Sequence, residues 1–323
     1  MSRNNKSTLR IFRAFILGIL ILSPALLVAQ NRSLPILEAN PDARSMAMGN
    51  VSLMSTDRNY LYVNPSSIFY NADRYSASVN GTIFPKNDDV SGRLLYGNAS
   101  AAWRFADRHA AFIGYRYLGG QTITGQTDQY GTPGEDTKPV DWSFDVGYSF
   151  KINNEFSVFA RGSFIQNKIT ESNNTFSFSL GGNYRTNIDL GNMVSQLNIA
   201  ARVLDIGPAI ESSSNVKYDL PTSAQASADL SLPLSDMNRL NIAVGGRYFL
   251  PKDATLLTIG VGAEYTYNNI VSARAGYRYG ENETSLITLG LGLNIKFISI
   301  DAAYSIANDT DFSMFHMGLT ARF

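Results

Sequence analysis

The 323-residue chain has no cysteine. That removes disulfides, thiol nucleophiles and thiolate metal sites together, and leaves packing and backbone pairing to stabilise whatever fold forms. Histidine is nearly absent too: His109 and His316 are the 2 present, and no Gly-x-Ser-x-Gly elbow occurs. Ser313 takes the opposite strand parity from His316, so no Ser-His pair is built locally. Asp301 is the one nearby carboxylate that could share a metal with His316. Neither catalysis, a metal nor a cofactor is expected. There is no excess of charge either: 27 basic and 27 acidic side chains give no electrostatic reason to expect nucleic acid as a partner. Past residue 29, finally, no apolar run approaches the roughly 18 residues of a membrane-spanning helix.

What the chain does have begins with Arg3, Lys6, Arg10 and Arg13, followed by an apolar run from Ala14 to Leu22 that resumes over 25–29. A basic region, an apolar core and a small residue make a secretory signal, expected to span 1–29 with cleavage after Ala29. An exported chain without a spanning helix is periplasmic, secreted or a barrel.

The mature chain repeats a unit of about 10 residues in strict alternation, bounded by Asn, Asp, Gly and Pro, the pattern of a strand with one face in lipid and one in a wet lumen. Over 141–151, Trp142, Phe144, Val146, Tyr148 and Phe150 share one parity, against Ser143, Asp145, Gly147 and Ser149. The same alternation recurs over 175–185 and 223–232. Fourteen such segments are counted, near 74–84, 93–105, 110–118, 141–151, 155–166, 174–186, 195–205, 223–232, 240–250, 255–267, 269–280, 284–295, 297–306 and 312–323. The even number is what a single-chain bacterial barrel requires. The join at 294–297 carries no clear turn residue.

Charge placement is the sharper test, because Arg or Lys on the lipid face near the midplane costs about 2–4 kcal/mol. Arg104, Arg116, Asp145, Arg185, Arg202, Asp229, Arg247, Glu264, Arg274, Arg278, Asp301 and Arg322 all share the parity of the small and polar residues. The other parity holds Trp103, Phe105, Tyr115, Tyr117, Tyr265, Tyr267, Tyr277 and Tyr279, aromatics suited to the membrane interfaces. The predicted fold is therefore all-β: a transmembrane antiparallel barrel over 74–323, with outer-membrane lipid around it. On this reading Ser143 faces water and accepts an arginine, whereas Val146 does not. The lumen arginines, Arg161 included, outnumber the lumen acids. They are expected to pair with those acids and with Glu38, Asp42 and Asp57, the alternative being an anion-selective lining.

Residues 30–73 lack the alternation. Pro41 to Met54 reads as a short helix ended or bent by Gly49, and Met46, Met48, Leu53 and Met54 make the stretch too apolar to hang in water as a periplasmic tail. The lumen is the expected place for it, as a plug, with Arg44 held by Asp42 or by a wall acid such as Glu264.

Four features in order resemble the PorV/PorQ family of Bacteroidetes outer-membrane proteins, itself related to the FadL-type long-chain fatty-acid channels. They are Ala43-Arg44 before Met48-Gly49; Asn64-Pro65-Ser66; Leu204-Asp205-Ile206-Gly207-Pro208 followed by Leu220-Pro221; and Ala275-Gly276-Tyr277-Arg278-Tyr279 with the segments after it up to His316. Asp205 stands where the family usually has Asn. The resemblance covers nearly the whole mature chain and implies a 14-stranded barrel with an amino-terminal plug. For function it implies two alternatives. One is a structural component of type IX secretion or surface attachment, presenting the loops Gly119 to Val140 and Gly207 to Thr222 to secretion-system or cargo proteins. The other is a channel for small hydrophobic or amphipathic molecules.

The chain ends on an alternating apolar segment closing at Phe323, similar to the signal by which barrel-assembly machinery recognises its substrates. Deleting Phe323 is expected to lower folded barrel in outer-membrane fractions, read as heat-modifiable mobility, further than Phe323→Tyr does. Equal levels for the two variants would show that the terminal ring is not read.

Overall fold

A computed structural model describes residues 34–40, 42–86, 90–125, 134–169, 172–191, 193–211, 217–250, 256–281, 285–307 and 313–323. The expected signal, 1–29, lies outside them. Among the described residues sixteen strands follow in order: β1 Tyr75–Ile83, β2 Ser91–Ala106, β3 His109–Thr122, β4 Val140–Lys151, β5 Phe156–Lys168, β6 Ser172–Leu190, β7 Met193–Ile206 and the two-residue β8 Ile210–Glu211. Then come β9 Lys217–Tyr218, β10 Ser223–Pro233, β11 Asn238–Phe249, β12 Leu257–Tyr267, β13 Val271–Gly280, β14 Leu286–Ile295, β15 Ile298–Ala307 and β16 Met314–Arg322. β8 and β9 pair only with each other. The other fourteen are the segments expected from the alternation, and they form one closed antiparallel barrel in chain order, sealed where β1 meets β16.

Closure satisfies every strand edge, without which a sheet cannot sit in hydrocarbon. The outer surface follows the parity rule. Ile113, Val146, Leu180, Val244, Val261, Leu289, Ile300 and Leu319 are exposed along the middle of their strands. Above and below them lie two aromatic girdles. Near the chain termini Tyr75 stacks on Trp103 at 6.4 Å and Trp103 meets Phe105 at 5.4 Å. At the opposite rim Tyr115, Trp142, Phe164 and Phe176 form a row with centroid spacings of 6.2, 5.5 and 5.2 Å. An apolar belt between two such girdles is the signature of a barrel immersed in a bilayer. The chain is an outer-membrane β-barrel.

Connections on the rim near the termini are short: 107–108, 152–155, 191–192, 234–237, 268–270 and 296–297. Those on the other rim are mostly longer, at 84–90, 123–139, 207–222, 250–256, 281–285 and 308–313, with 169–171 as the exception. Short turns belong to the periplasm and long loops to the outside. Asn268 and Asn269 take φ of 51° and 55°, with Ile270 N–H donating to Tyr267 O at 2.9 Å, a turn twisted to match the strands it joins. At 296–297 the same service falls to Lys296, at φ 51°, between the paired Ile295 and Ile298. Lysine rarely adopts that conformation, so the sequence carries no turn signal there.

Residues 34–73 fill the lumen. They contain a one-turn helix Pro35–Glu38, a second helix Ala43–Ala47 and a 3-10 helix Pro65–Tyr70. The helix expected over Pro41 to Met54 is thus far shorter, because the chain turns over at 48–50 to lie flat on the wall. The filling also corrects the expectation for Ser143. Its side chain is fully buried and bonded to Arg116 and Asp145, so it does not face open water.

Both faces of β4 are consequently intolerant, for different reasons. Val146→Arg is expected to cost about 2–4 kcal/mol of lipid-face desolvation near the midplane. Ser143→Arg is expected to overpack the lumen, by about 1–3 kcal/mol, and to add a charge beside Arg116. Urea titration of the folded barrel in liposomes checks both; wild-type stability for Ser143→Arg would contradict a packed lumen at that position.

Candidate functional site

The plug is seated by backbone contact. Gly49 has φ of 70°, and a Cβ there would stand 2.4 Å from Val261 O and 2.6 Å from Tyr277 O. The wall is bare to match: a Cβ on Gly262 would lie 2.5 Å from Met48 O, and one on Gly276 only 2.2 Å from Gly49 N. Glycine on both sides therefore lets the plug main chain touch the main chains of β12 and β13. Thr288 of β14 fixes the register, accepting from Gly49 N and donating to Ala47 O, each at 3.0 Å. Asp42 caps the helix that leads in, accepting from Ser45 N at 2.7 Å. Asn64 caps the 3-10 helix and donates to Leu53 O at 2.9 Å and Asn183 Oδ1 at 2.7 Å, while Pro65 occupies the first turn, where its missing N–H costs nothing.

Charge holds the same segment from the periplasmic side. Arg44 grips Glu264 through Nε at 2.8 Å and Nη2 at 2.7 Å and donates Nη1 to Ser55 O at 2.8 Å. Glu264 also accepts from Arg274 Nε at 2.5 Å, and Arg274 reaches Asp301 at 2.7 Å. Gly292 lies beneath this reach: a Cβ there would come within 2.4 Å of Arg274 Nη2. Asp301 in turn binds Arg58 at 2.5 Å, Arg58 binds Asp57 at 2.7 Å, and Asp57 pairs with Arg322. Seven charges of alternating sign thus run from plug to wall and back. In the plug itself, burial raises the Asp57 carboxyl, but Arg58 and Arg322 outweigh burial and hold it below the usual range. Burial raises Asp42, and its bonds from Ser45 offset that only in part.

The outer half of the lumen is different. A cavity of about 60 Å³ lies between plug residues 37–40 and 49–52 and the wall, and Arg116, Arg161, Arg202, Arg247 and Arg278 line it together with Asp205. Arg116 is paired with Asp145 at 2.7 Å and Arg161 with Asp205 at 2.9 Å. Arg247 stands 3.9 Å from Asp205 and donates to Ser223 Oγ and to the Glu38 carbonyl. Arg202 has only neutral acceptors among the described residues, Gln225 Oε1 at 2.8 Å and Tyr62 O at 3.2 Å. Over this cavity, at the external mouth, Leu34, Ile36 and Leu37 of the plug pack with Tyr96, Leu118, Ile165, Ile210 and Leu220.

The residues singled out in the sequence therefore fall into distinct groups. Arg44, Glu264, Arg274, Asp301 and Arg322 join one ion-pair chain; Arg116, Arg202, Arg247 and Arg278 surround one cavity. Ala43, Met48 and Gly49, like Asn64 and Pro65, seat the plug. Arg104 meets no carboxylate among the described residues; it binds the carbonyls of Ile68, Asn71 and Ala72, holding the end of the 3-10 helix to β2. Asp42, expected to pair with an arginine, serves as a helix cap. Phe323 lies on the lipid face, its ring 5.7 Å from Phe297 and its backbone bonded to Tyr75 across the seam. His316 is buried between Thr82 and Ser305, at 2.8 and 3.0 Å. Sequence reading missed Arg58, although it adjoins Asp57 in an otherwise apolar stretch. It also missed Asp205 as a charge partner. That residue adopts φ of 55°, which bends β7 so that its side chain turns inward.

No family model and no curated protein matches the chain in sequence. Solved structures do match in fold. The toluene transporter TbuX of Ralstonia pickettii aligns with a TM-score of 0.56 at 13% identity, over 90% of this chain and 100% of its own. A monoaromatic hydrocarbon channel, CymD, gives 0.58 at 13% over 90% and 99%, and the toluene transporter TodX of Pseudomonas putida 0.55 at 12% over 89% and 99%. At such identities the likeness is one of fold.

Breaking the ion-pair chain at Glu264, which two arginines share, tests how the plug is held. Glu264→Gln leaves Arg44 without a carboxylate and Arg274 with Asp301 alone, and is expected to cost about 3–5 kcal/mol, the usual penalty for removing one partner of a buried pair. A single cysteine at Ala47, in a chain with no native thiol, should then label faster with an impermeant maleimide than it does beside intact Glu264. Unchanged labelling and unchanged unfolding would show that charge does not seat the plug.

Proposed function

We infer that the barrel admits small hydrophobic or amphipathic molecules across the outer membrane. The observation that carries this reading is the apolar cluster at the external mouth, where plug residues Leu34, Ile36 and Leu37 meet the ends of β2, β3 and β5. The cluster is buried, and an apolar lining at the outer end of the lumen is the kind of environment that holds such solutes. Leu37 belongs both to this cluster and to the lining of the polar cavity below, so it marks where the apolar zone ends. The shared fold with barrels described as toluene transporters and a monoaromatic hydrocarbon channel supports the same direction.

The secretion role implied by the PorV/PorQ resemblance draws less support. Ala43, Met48, Gly49, Asn64 and Pro65, which carry two of the four matching motifs, are buried inside the barrel. They account for the plug and offer no surface to a partner.

Uptake of radiolabelled toluene by cells with and without the protein tests the reading, with a labelled sugar of similar mass as control. The barrel is expected to raise toluene uptake several-fold and leave the sugar unchanged. Leu37→Asp, which puts a charge in the apolar mouth, is expected to abolish the gain. Uptake equal to that of cells without the protein, or co-purification of secretion components in stoichiometric amounts from native outer membrane, would overturn it.

A further inference from the structure

We propose that the external rim of the wall over β2 to β5 is a docking surface for a phosphorylated glycolipid of the outer leaflet, of the lipid A type. Arg93, Lys138 and Lys168 are all exposed there. Lys168 ends β5 and pairs with Val140, and Lys138 lies two residues beyond Val140, past the last pair of β4. Arg93 sits in β2 at the bulge between Gly92 and Leu95, which pair with Gln121 and Gly119 of β3. At the usual strand spacing, three steps from β2 to β5 put the two ends of this arc about 14 Å apart. That is the scale of a disaccharide carrying a phosphate at each end.

The depth of these cations matches a headgroup layer. The lipid-facing parity of β5 runs outward through Phe164, Gln166 and Lys168, and that of β6 through Phe176 and Asn174. Trp142 Nε1 donates to Gln166 Oε1 at 2.7 Å, and Gln166 Nε2 donates to Asn174 Oδ1 at 3.0 Å. This polar ladder lies just above the aromatic row of Trp142, Phe164 and Phe176. From Phe164 to Lys168 the outer face thus passes from aromatic rings through hydrogen-bonding side chains to a cation. A lipid leaflet is layered in the same order, with aromatic girdles at the level where chains give way to headgroups.

Charge selects the occupant. Among the described residues none of Arg93, Lys138 and Lys168 has a side-chain ion pair or hydrogen bond. The acids of the region are turned elsewhere. Asp141 is buried and accepts from Asn167 at 2.6 Å. Glu135 and Asp136 lie in the loop beyond Thr137, where Asp136 accepts from Gly125 N at 3.2 Å. Across the barrel, the described residues at the external ends of β10 to β16 place no lysine or arginine on the outer face. One arc of the rim is therefore cationic. Its long loops mark it as the outside, so the leaflet it meets is the one that holds phosphorylated glycolipid. Lysine or arginine beside an anionic lipid surface raises affinity about fivefold per residue. Docking at this arc is independent of what passes through the lumen.

The test titrates the full barrel, folded in a non-ionic detergent, with bisphosphorylated lipid A and with the same lipid stripped of its phosphates, bound species being counted by native mass spectrometry. The phosphorylated form is expected to bind about tenfold or more tightly. Replacing two lysines together, Lys138→Gln with Lys168→Gln, should weaken it about 30-fold, at about fivefold for each. Arg93→Gln alone, expected to cost about fivefold, serves should the double variant fail to fold. The matched control, Arg108→Gln with Arg239→Gln, removes two exposed cations at the periplasmic rim and should bind as the wild type does. Equal affinity for the two lipids, wild-type affinity in the double variant and in Arg93→Gln, or an equal loss in the periplasmic control would each overturn the proposal.

Discussion

The contact on which the lumen depends is the double hydrogen bond from Arg44 to Glu264. A barrel of fourteen strands encloses more space than its own wall side chains fill, and this one is occupied by a segment that is not a strand. Holding a separate piece of chain in one pose inside a tube takes directional contacts, and apolar packing alone supplies few. Arg44 provides a fixed point on the periplasmic side. From it Arg274, Asp301, Arg58, Asp57 and Arg322 follow in alternation. A plug shifted by one residue would leave several of these charges buried and unpaired, so the chain selects one seating more than it adds net stability.

Glycine does the complementary work. Charges can set where the plug lies, but only bare backbone on both sides lets it lie close. Gly49 against Gly262 and Gly276 puts main chain on main chain, and Thr288 locks that contact with two hydrogen bonds. In the outer half the ion pairs Arg116–Asp145 and Arg161–Asp205 lie within the wall, and arginines meet the plug there through the carbonyls of Ile36 and Glu38.

The barrel was legible in the sequence because its signal is local and repeated. Each strand shows period-two alternation, and the charges Asp145, Glu264 and Arg274 reveal which parity faces inward wherever lipid would penalise them. Strand ends were read less well. β3 runs on to Thr122 and β6 spans Ser172–Leu190, both past the lipid zone where alternation carries information. The Lys296 turn was silent because lysine is not a turn former. The plug was legible as a lack of pattern with too much methionine, which places it indoors without giving its pose. Arg58 with Asp301 joins residues 243 positions apart, and nothing in either neighbourhood announces the other. Ser143 shows the limit of parity: it separates inside from outside but cannot tell water from packed protein.

The seam between β1 and β16 carries a kinetic implication. Ser76 pairs with Arg322 and Ile83 with Phe315, joining the two ends of the barrel chain, whereas every other pairing in the wall links strands that follow one another around it. That junction closes the largest loop and is entropically the last to form. The plug immediately precedes β1, and Arg322 beside the seam is paired with plug residue Asp57. Since its seating residues are buried against the wall nearly all the way round, enclosing the plug as the cylinder shuts takes less rearrangement than threading it in afterwards. On that ground insertion of the segment and sealing of the wall are expected to be coupled, with the wall wrapping a cargo already in place.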